Sequence, residues 1–261
     1  MAKEQFIKLL ADEINEFRNA LSTDSGDWVV KGFIDVYKNI YTISIDTKVI
    51  SKIIELMLYP VLLSFSKKYN YKVILSEHQN HYPDMTFVSP SGVKVALDLK
   101  STYRTSTNRV NGFTLGAFTG YFRDRTSKKN ITFPYSEYSC HIVLGVIYSR
   151  TEADLDERKI YSIDDLHNII SVVREFGFLV QEKWRIAADR PGSGNTKNIG
   201  SATNVEDLVS GKGPFSNLGK EVFDDYWMNY LTTDMARAID SPIPFHNLKE
   251  YLKWKKRGKR R

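Results

Sequence analysis

Residues 83–100 read Pro83-Asp84-Met85-Thr86-Phe87-Val88-Ser89-Pro90-Ser91-Gly92-Val93-Lys94-Val95-Ala96-Leu97-Asp98-Leu99-Lys100. Two β-prone runs, 85–88 and 93–99, flank Ser89-Pro90-Ser91-Gly92, whose residue types specify a turn. In the second run the strand period of two puts Val93, Val95, Leu97 and Leu99 on one face, toward a core. Lys94, Ala96, Asp98 and Lys100 take the other face. Asp98 and Lys100 are then neighbours about 7 Å apart along the strand, and the hairpin returns Asp84 beside them. Two carboxylates and an ammonium at one spot suit a hard divalent cation such as Mg²⁺, which takes one or two protein carboxylates and leaves its other positions to water and phosphate. The lysine supplies positive charge where a phosphorane would develop. The wet face of an edge strand has the same pattern, and so short a motif does not separate the two readings.

Working outward, the run from Thr47 carries Val49, Ile50, Ile53, Ile54, Met57, Val61 and Leu62 at helical spacing, with Asp46 as its N-cap. Pro60 either kinks this helix or starts another. Glu55 lies among apolar neighbours, where a carboxylate is costly unless it is paired, hydrogen-bonded or close to a metal; a single wet angle on the helix is the plainer account. Residues 4–21 have an amphipathic helical pattern, 28–45 and 71–76 read as strands, and 141–149 as a buried central strand. A helix-prone segment at 151–173 precedes a strand at 177–187, and 221–237 and 246–256 are helical candidates. Helices mixed with strands predict an α/β (or α+β) fold, one mixed central sheet flanked by helices.

The chain has 261 residues, 42% hydrophobic and 26% charged, which excludes a disordered, collagen-like or coiled-coil protein. Its apolar runs, such as 142–148, are too short to cross a bilayer, and no signal-peptide block follows Met1, so the expectation is a protein without a membrane span. One cysteine, Cys140, excludes an internal disulfide framework and suits a reducing cytoplasm. The net charge of +6 is concentrated at the end: residues 249–261 hold eight Lys/Arg and one Glu, so the other 248 residues sum to −1. With Arg104, Arg109, Arg123, Arg125, Lys128 and Lys129 mid-chain, these basic regions favour a polyanion partner over general solubility.

Residues 190–201 are rich in Gly, Ser and Asn and read as a loop. Gly192-Ser193-Gly194-Asn195-Thr196 is not a P-loop, because the Gly-Lys-Ser/Thr ending is missing. Its backbone groups, Asn and Thr are suited to base edges, since Asn pairs bidentately with adenine and a Thr methyl meets a thymine methyl. Alone, the loop is equally a flexible surface turn. His78 and His81, three apart but outside any helical pattern, are weak metal ligands; the amides Gln79 and Asn80 between them fit backbone or groove contacts better.

Together these blocks resemble the type II restriction endonucleases of the PD-(D/E)xK nuclease superfamily. The resemblance rests on Asp46-Thr47-Lys48-Val49 leading to Glu55-Leu56, on Gln79 to Asp84, on Asp98-Leu99-Lys100-Ser101-Thr102-Tyr103, and on Gly192 to Thr196 continuing through Asn198-Ile199-Gly200-Ser201. Phe113-Thr114-Leu115-Gly116 and Asp225-Tyr226-Trp227 add to it. The blocks keep their order over residues 45–230. The resemblance implies a single endonuclease domain over 1–261 with a small dimerisation subdomain, its elements at 28–45 and 151–170. It implies a Mg²⁺-dependent homodimer that cuts double-stranded DNA at a palindrome, GATATC, bluntly at the central TA step, leaving 5′-phosphate and 3′-hydroxyl ends. Asp84 and Asp98 would hold the metal, Lys100 would be the catalytic lysine, and Glu55 an auxiliary acid at the metal. Gly192, Ser193, Gly194, Asn195 and Thr196 would read base edges, Gln79 and Asn80 would approach the minor groove, and Thr102 and Asn198 would lie near phosphates. A separate methyltransferase would protect host DNA. His78 stands where the family pattern has glutamine and Ser101 where it has threonine. The chain also departs from the pattern beyond Leu231, which leaves the role of the basic end at 249–261 open. A repair or junction nuclease of the same superfamily and a non-catalytic DNA-binding module remain the alternatives.

Overall fold

A computed structural model describes residues 3–78, 81–152, 156–192 and 197–258. The first half runs α1 (Lys3–Asp12), α2 (Ile14–Leu21), β1 (Gly32–Ile34), β2 (Ile40–Thr42), α3 (Thr47–Lys68), β3 (Lys72–Leu75), β4 (Met85–Val88), β5 (Lys94–Ser106), β6 (Arg109–Val110) and β7 (Thr114–Ala117). The second runs β8 (Tyr138–Arg150), β9 (Ile160–Tyr161), β10 (Val173–Glu182), α4 (Lys183–Ile186), β11 (Ala187–Pro191), β12 (Asn198–Ser201), α5 (Val205–Ser210), α6 (Lys220–Asn229), α7 (Thr233–Ala238) and α8 (Leu248–Gly258). The main sheet has the order β10-β8-β5-β4-β3, with β6 on the far end of β5. β5 and β8 pair in parallel, and the other ladders of this sheet are antiparallel. This is the mixed α/β architecture expected from the sequence.

β5 is therefore an interior strand, which removes the edge-strand reading of Asp98 and Lys100. The 89–92 turn forms as its residue types require: Ser89 N donates to the Val93 carbonyl, and the Ser89 hydroxyl accepts from Val93 N. Val95, Leu97 and Leu99 face one core with Ile50, Ile54, Leu58, Leu62 and Phe65 of α3. Ala96 faces a second core with Val143, Ile147 and Leu179. β8 is buried along most of its length, as the apolar run 141–149 predicts.

Asp46 caps α3 by accepting from Lys48 N and Val49 N, and the helix runs through Pro60 unbroken. At 22 residues α3 is long and apolar enough to cross a membrane, which corrects the expectation that no stretch is. Its inner face is part of the core, so it is a core helix with a wet outer side. The helical pattern at 4–21 divides at Glu13, and that at 221–237 divides at 230–232. The 151–173 expectation is wrong: the segment contains β9 and a short 3₁₀ helix, Ile163–Asn168. Its charged residues are solvated there, and it lacks the repeated apolar stripe that packs a helix down. The strand expected at 177–187 ends at Glu182, and the expected loop at 190–201 has strands β11 and β12 as its legs. β1, β2 and β9 form a separate three-stranded sheet, joining residues 32–42 to 160–161.

Candidate active site

The turn geometry brings Asp84, at the head of β4, against the middle of β5. Its Oδ2 accepts from Leu99 N at 2.7 Å. Asp98 is 5% exposed, and its Oδ2 lies 2.9 Å from Lys100 Nζ. The same ammonium lies 3.7 Å from Asp84 Oδ2. Lys100 thus bridges the two acids. Burial works against its charge, but Asp98 and Asp84 outweigh burial and hold the ammonium protonated above its ordinary range. Burial pushes the Asp84 carboxyl up to about 6; Lys100 opposes that shift, and the neighbouring Asp98 adds to it.

These residues line a cleft of about 790 Å³ that also includes Glu55, His81, Gly116, Tyr121, Lys129 and Asn198. Glu55 projects from α3 and accepts from Lys52 Nζ at 2.8 Å and from the Tyr59 hydroxyl. The helix-surface account of this residue is therefore half right, since its partners are local while its position is on the cleft wall. Thr102 is buried, and it lines a side pocket of about 250 Å³ with Thr47, Lys48 and Ser51. Gly192 N donates to the Asn198 carbonyl, closing the base of the β11–β12 hairpin. Ser193, Gly194, Asn195 and Thr196, together with Gln79 and Asn80, lie outside the described residues.

The donor set is compatible with a hard cation. Each acid uses one oxygen in the bonds above, and the second oxygen makes no hydrogen bond among the described residues. Among the described residues there is no group of three or more His, Cys, Asp or Glu side chains close enough to hold a metal ion. Two carboxylates nonetheless suffice for Mg²⁺, which keeps several waters. His78 and His81 pack edge to face at 4.6 Å and join no such group.

The mid-chain basic cluster does not form one patch. Arg104 donates to the Glu175 carbonyl, Arg123 to the Tyr230 carbonyl, and Arg125 pairs with Asp224 at 2.9 Å. Three of its six cations are thus directed into the protein, while Lys129 is on the cleft. Sequence reasoning missed the Tyr121 and Gly116 wall, because only the folding of β7 against β12 brings it to the acids.

Gly200 in β12 has no room for a side chain: a Cβ would meet the Arg190 carbonyl at 2.9 Å and the Gly192 backbone at 3.1 Å. Gly200→Ala should therefore push apart the legs of the hairpin. Sequence-selective cleavage is expected to fall about a hundredfold, the scale of a 1 Å misplacement. Cutting rates on matched duplexes with and without the favoured site measure this, and a loss below threefold would refute it.

A mixed sheet carrying paired acids and a lysine in an open cleft, within the sequence relationships that follow, defines a type II restriction enzyme, a site-specific deoxyribonuclease. The chain belongs to the restriction endonuclease EcoRV family, which matches residues 24–256. It is 38% identical over 245 residues to the type II restriction enzyme EcoRV of Escherichia coli, covering 93% of this chain and 97% of that relative. A solved structure, the NlaIV restriction endonuclease, aligns over 97% of this chain and 96% of its own, with a TM-score of 0.43 and 14% identity.

Proposed function

We propose that this enzyme cuts both strands of a palindromic DNA site as a Mg²⁺-dependent homodimer, with GATATC as the site, cleaved bluntly at its central TA step. The observation that carries the catalytic part is Lys100 bridging Asp84 and Asp98 on one cleft wall. Asp84 and Asp98 would hold the metal, with Glu55 as auxiliary acid. Mg²⁺ bound there supplies Lewis-acid polarisation of the phosphate and acidifies water. Lys100 holds its proton firmly and offers fixed positive charge to the developing phosphorane. Water attacks phosphorus in line, the P–O3′ bond breaks, and O3′ takes a proton, leaving 5′-phosphate and 3′-hydroxyl ends.

Gly192, Ser193, Gly194, Asn195 and Thr196, in sequence between β11 and β12, would read the bases. Asn198 on the cleft, Thr102 in the side pocket, and Gln79 and Asn80 would meet the backbone and minor groove. A flexible pyrimidine–purine step at the centre suits an enzyme that bends DNA toward its metal site. The homodimer reading is supported by the exposed apolar residues of the β1-β2-β9 sheet, Phe33, Ile34, Tyr41 and Ile160 among them. A separate methyltransferase would complete the system.

The test is a sequenced plasmid incubated with the protein in Mg²⁺ or in EDTA, with fragment ends read by sequencing. Blunt ends at GATATC, absent with EDTA, are expected. Ends at another hexanucleotide would overturn the site assignment alone. Intact duplex in Mg²⁺ beside a cut branched substrate would select the junction-nuclease reading. An intact plasmid bound at one sequence would select the binding module.

Asp84 provides a pH test of the metal site. Its folded pKa, about 6, lies above the unfolded value near 4. The folded state therefore binds the proton more tightly, so this contribution to stability is fully present below about 4 and is lost as pH rises through about 6. Above that pH the ionised acids repel one another, and a divalent cation relieves the repulsion. At pH 8, saturating Mg²⁺ should raise the melting temperature by about 5 °C; at pH 5 the rise should shrink to about 1 °C. Calorimetry at both pH values, with equal shifts, would discredit Asp84 as a ligand.

A further inference from the structure

Lys183 is 2% exposed, and its ammonium has no hydrogen-bond partner among the described residues. Three rings surround it instead, with centroids at 5.2 Å for Tyr82, 5.5 Å for Phe122 and 5.8 Å for Tyr135. Such a charge is expensive to bury and is normally neutralised or paired. Asp98 and Asp224 favour its charge from a distance, but neither makes an ion pair with it among the described residues. Burial, reinforced by nearby cations, keeps His141 neutral, and its Nδ1 is 2.8 Å from the Tyr82 hydroxyl. Asp224 is already held by Arg125 and Lys220.

The sheet register fixes where this cation lies relative to the acids. Ala96 pairs with His141 across β5 and β8, and Glu182 pairs with Ile142 across β8 and β10. Lys183, the first residue of α4, thus begins beside the row of Ala96 and His141, two strand spacings from Ala96 and about 12 Å from Asp98 at the backbone. From the cleft side, a Cβ on Gly116 would be 3.5 Å from Lys183 Nζ, and Gly116 itself lines the cleft beside Asp84 and Asp98. The ammonium thus lies directly behind the wall of the candidate site. Burial draws its pKa down to about 8, with Asp98 acting to hold the proton on.

We propose that Lys183 is a positioning residue of the active site: its ring-caged ammonium, behind Asp98, restrains the affinity of the carboxylate pair for a divalent cation until a DNA phosphate arrives with further negative charge. The inference rests on the metal-dependent reading above. A buried positive charge about 12 Å from a doubly charged ion opposes its binding by about tenfold at effective dielectrics between those of protein and water. Tyr82, one of the caging rings, also fixes the segment leading into Asp84, because it stacks on Tyr121 at 5.3 Å and is pinned through its backbone to Asn130 and Thr132.

The experiment is calorimetric titration of the full-length protein with Ca²⁺ at pH 7, where Lys183 is still charged, without DNA. Lys183→Met should bind Ca²⁺ about tenfold more tightly than the parent, and its melting temperature should be no lower, since an unpaired buried charge becomes an apolar side chain of similar length. A lysine that merely packs the chamber predicts the opposite pair, unchanged or weaker binding with lower stability, and that result would overturn the proposal. Lys183→Gln also removes the charge and carries the test if the methionine variant does not fold. Asp98→Asn, measured alongside, should lose Ca²⁺ binding. If Asp98→Asn keeps parental affinity while Lys183→Met binds tighter, the assignment of Asp98 as ligand fails and the field of Lys183 stands. If neither the parent nor Lys183→Met binds Ca²⁺, this inference falls, while the metal reading is decided by the Mg²⁺ and EDTA arms of the plasmid test.

Discussion

Asp98→Asn should lower the rate of double-strand cleavage at least about a thousandfold, measured under single-turnover conditions in saturating Mg²⁺. The substitution is nearly isosteric, so the strand is undisturbed. Asp98 is in mid-β5, with Val143 opposite it on β8. What is lost is charge. The 2.9 Å ion pair with Lys100 goes, and the 3.7 Å contact to Asp84 and the 3.3 Å bond to the Leu99 carbonyl remain to orient the ammonium. A metal would then have one ionised acid in place of two. Metal-free binding to DNA should hold steady or strengthen, because one negative charge is removed from a phosphate-facing cleft. Far-ultraviolet circular dichroism checks the fold. Cleavage within tenfold of the parent would sink the assignment of Asp98.

The second large effect is expected at the β1-β2-β9 sheet. Val36 and Tyr37, in the β1–β2 connection, are 89% and 82% exposed, an unusual position for such side chains on a lone surface. Asp35 orders that connection by accepting from Tyr37 N and Asn39 N, each at 2.9 Å, so the apolar residues are held outward. The Val36→Glu, Tyr37→Glu double variant would put two carboxylates into the proposed interface. Two per protomer make four in the homodimer, and at about 1 kcal/mol for each the dimer dissociation constant rises roughly a thousandfold. Light scattering at micromolar protein should then find the 30.1 kDa monomer, and double-strand cutting at nanomolar enzyme should fall at least about a hundredfold. A parent protein that is itself monomeric, or a variant that remains dimeric, would place the interface elsewhere.

Much of the site was legible because it is built from local geometry. The 89–92 turn and the period of β5 suffice to put Asp84, Asp98 and Lys100 together, and both are written in consecutive residues. Asp46 as a cap and 141–149 as a buried strand follow in the same way. Glu55 was legible only as an oddity, since its place on the cleft depends on how α3 crosses β5. The 151–173 segment misled because helix propensity without an apolar stripe gives a helix nothing to pack against. The arginines at 104, 123 and 125 misled because charge along a sequence does not reveal direction, and their guanidinium groups turn inward to backbone carbonyls and Asp224.

By itself the sequence determined the alternation that builds the central strands, the acid–lysine constellation and the order of blocks that places the chain in its family, since these are properties of spacing over short distances. The tertiary structure alone decided that β5 is interior, that its acids share one ammonium in a cleft walled by Tyr121 and Gly116, and that Lys183 lies behind them with no hydrogen-bond partner among the described residues. Those relations join residues up to about a hundred positions apart. They are set by which strands pair and which faces are covered, and a one-dimensional pattern carries the faces but not the partners.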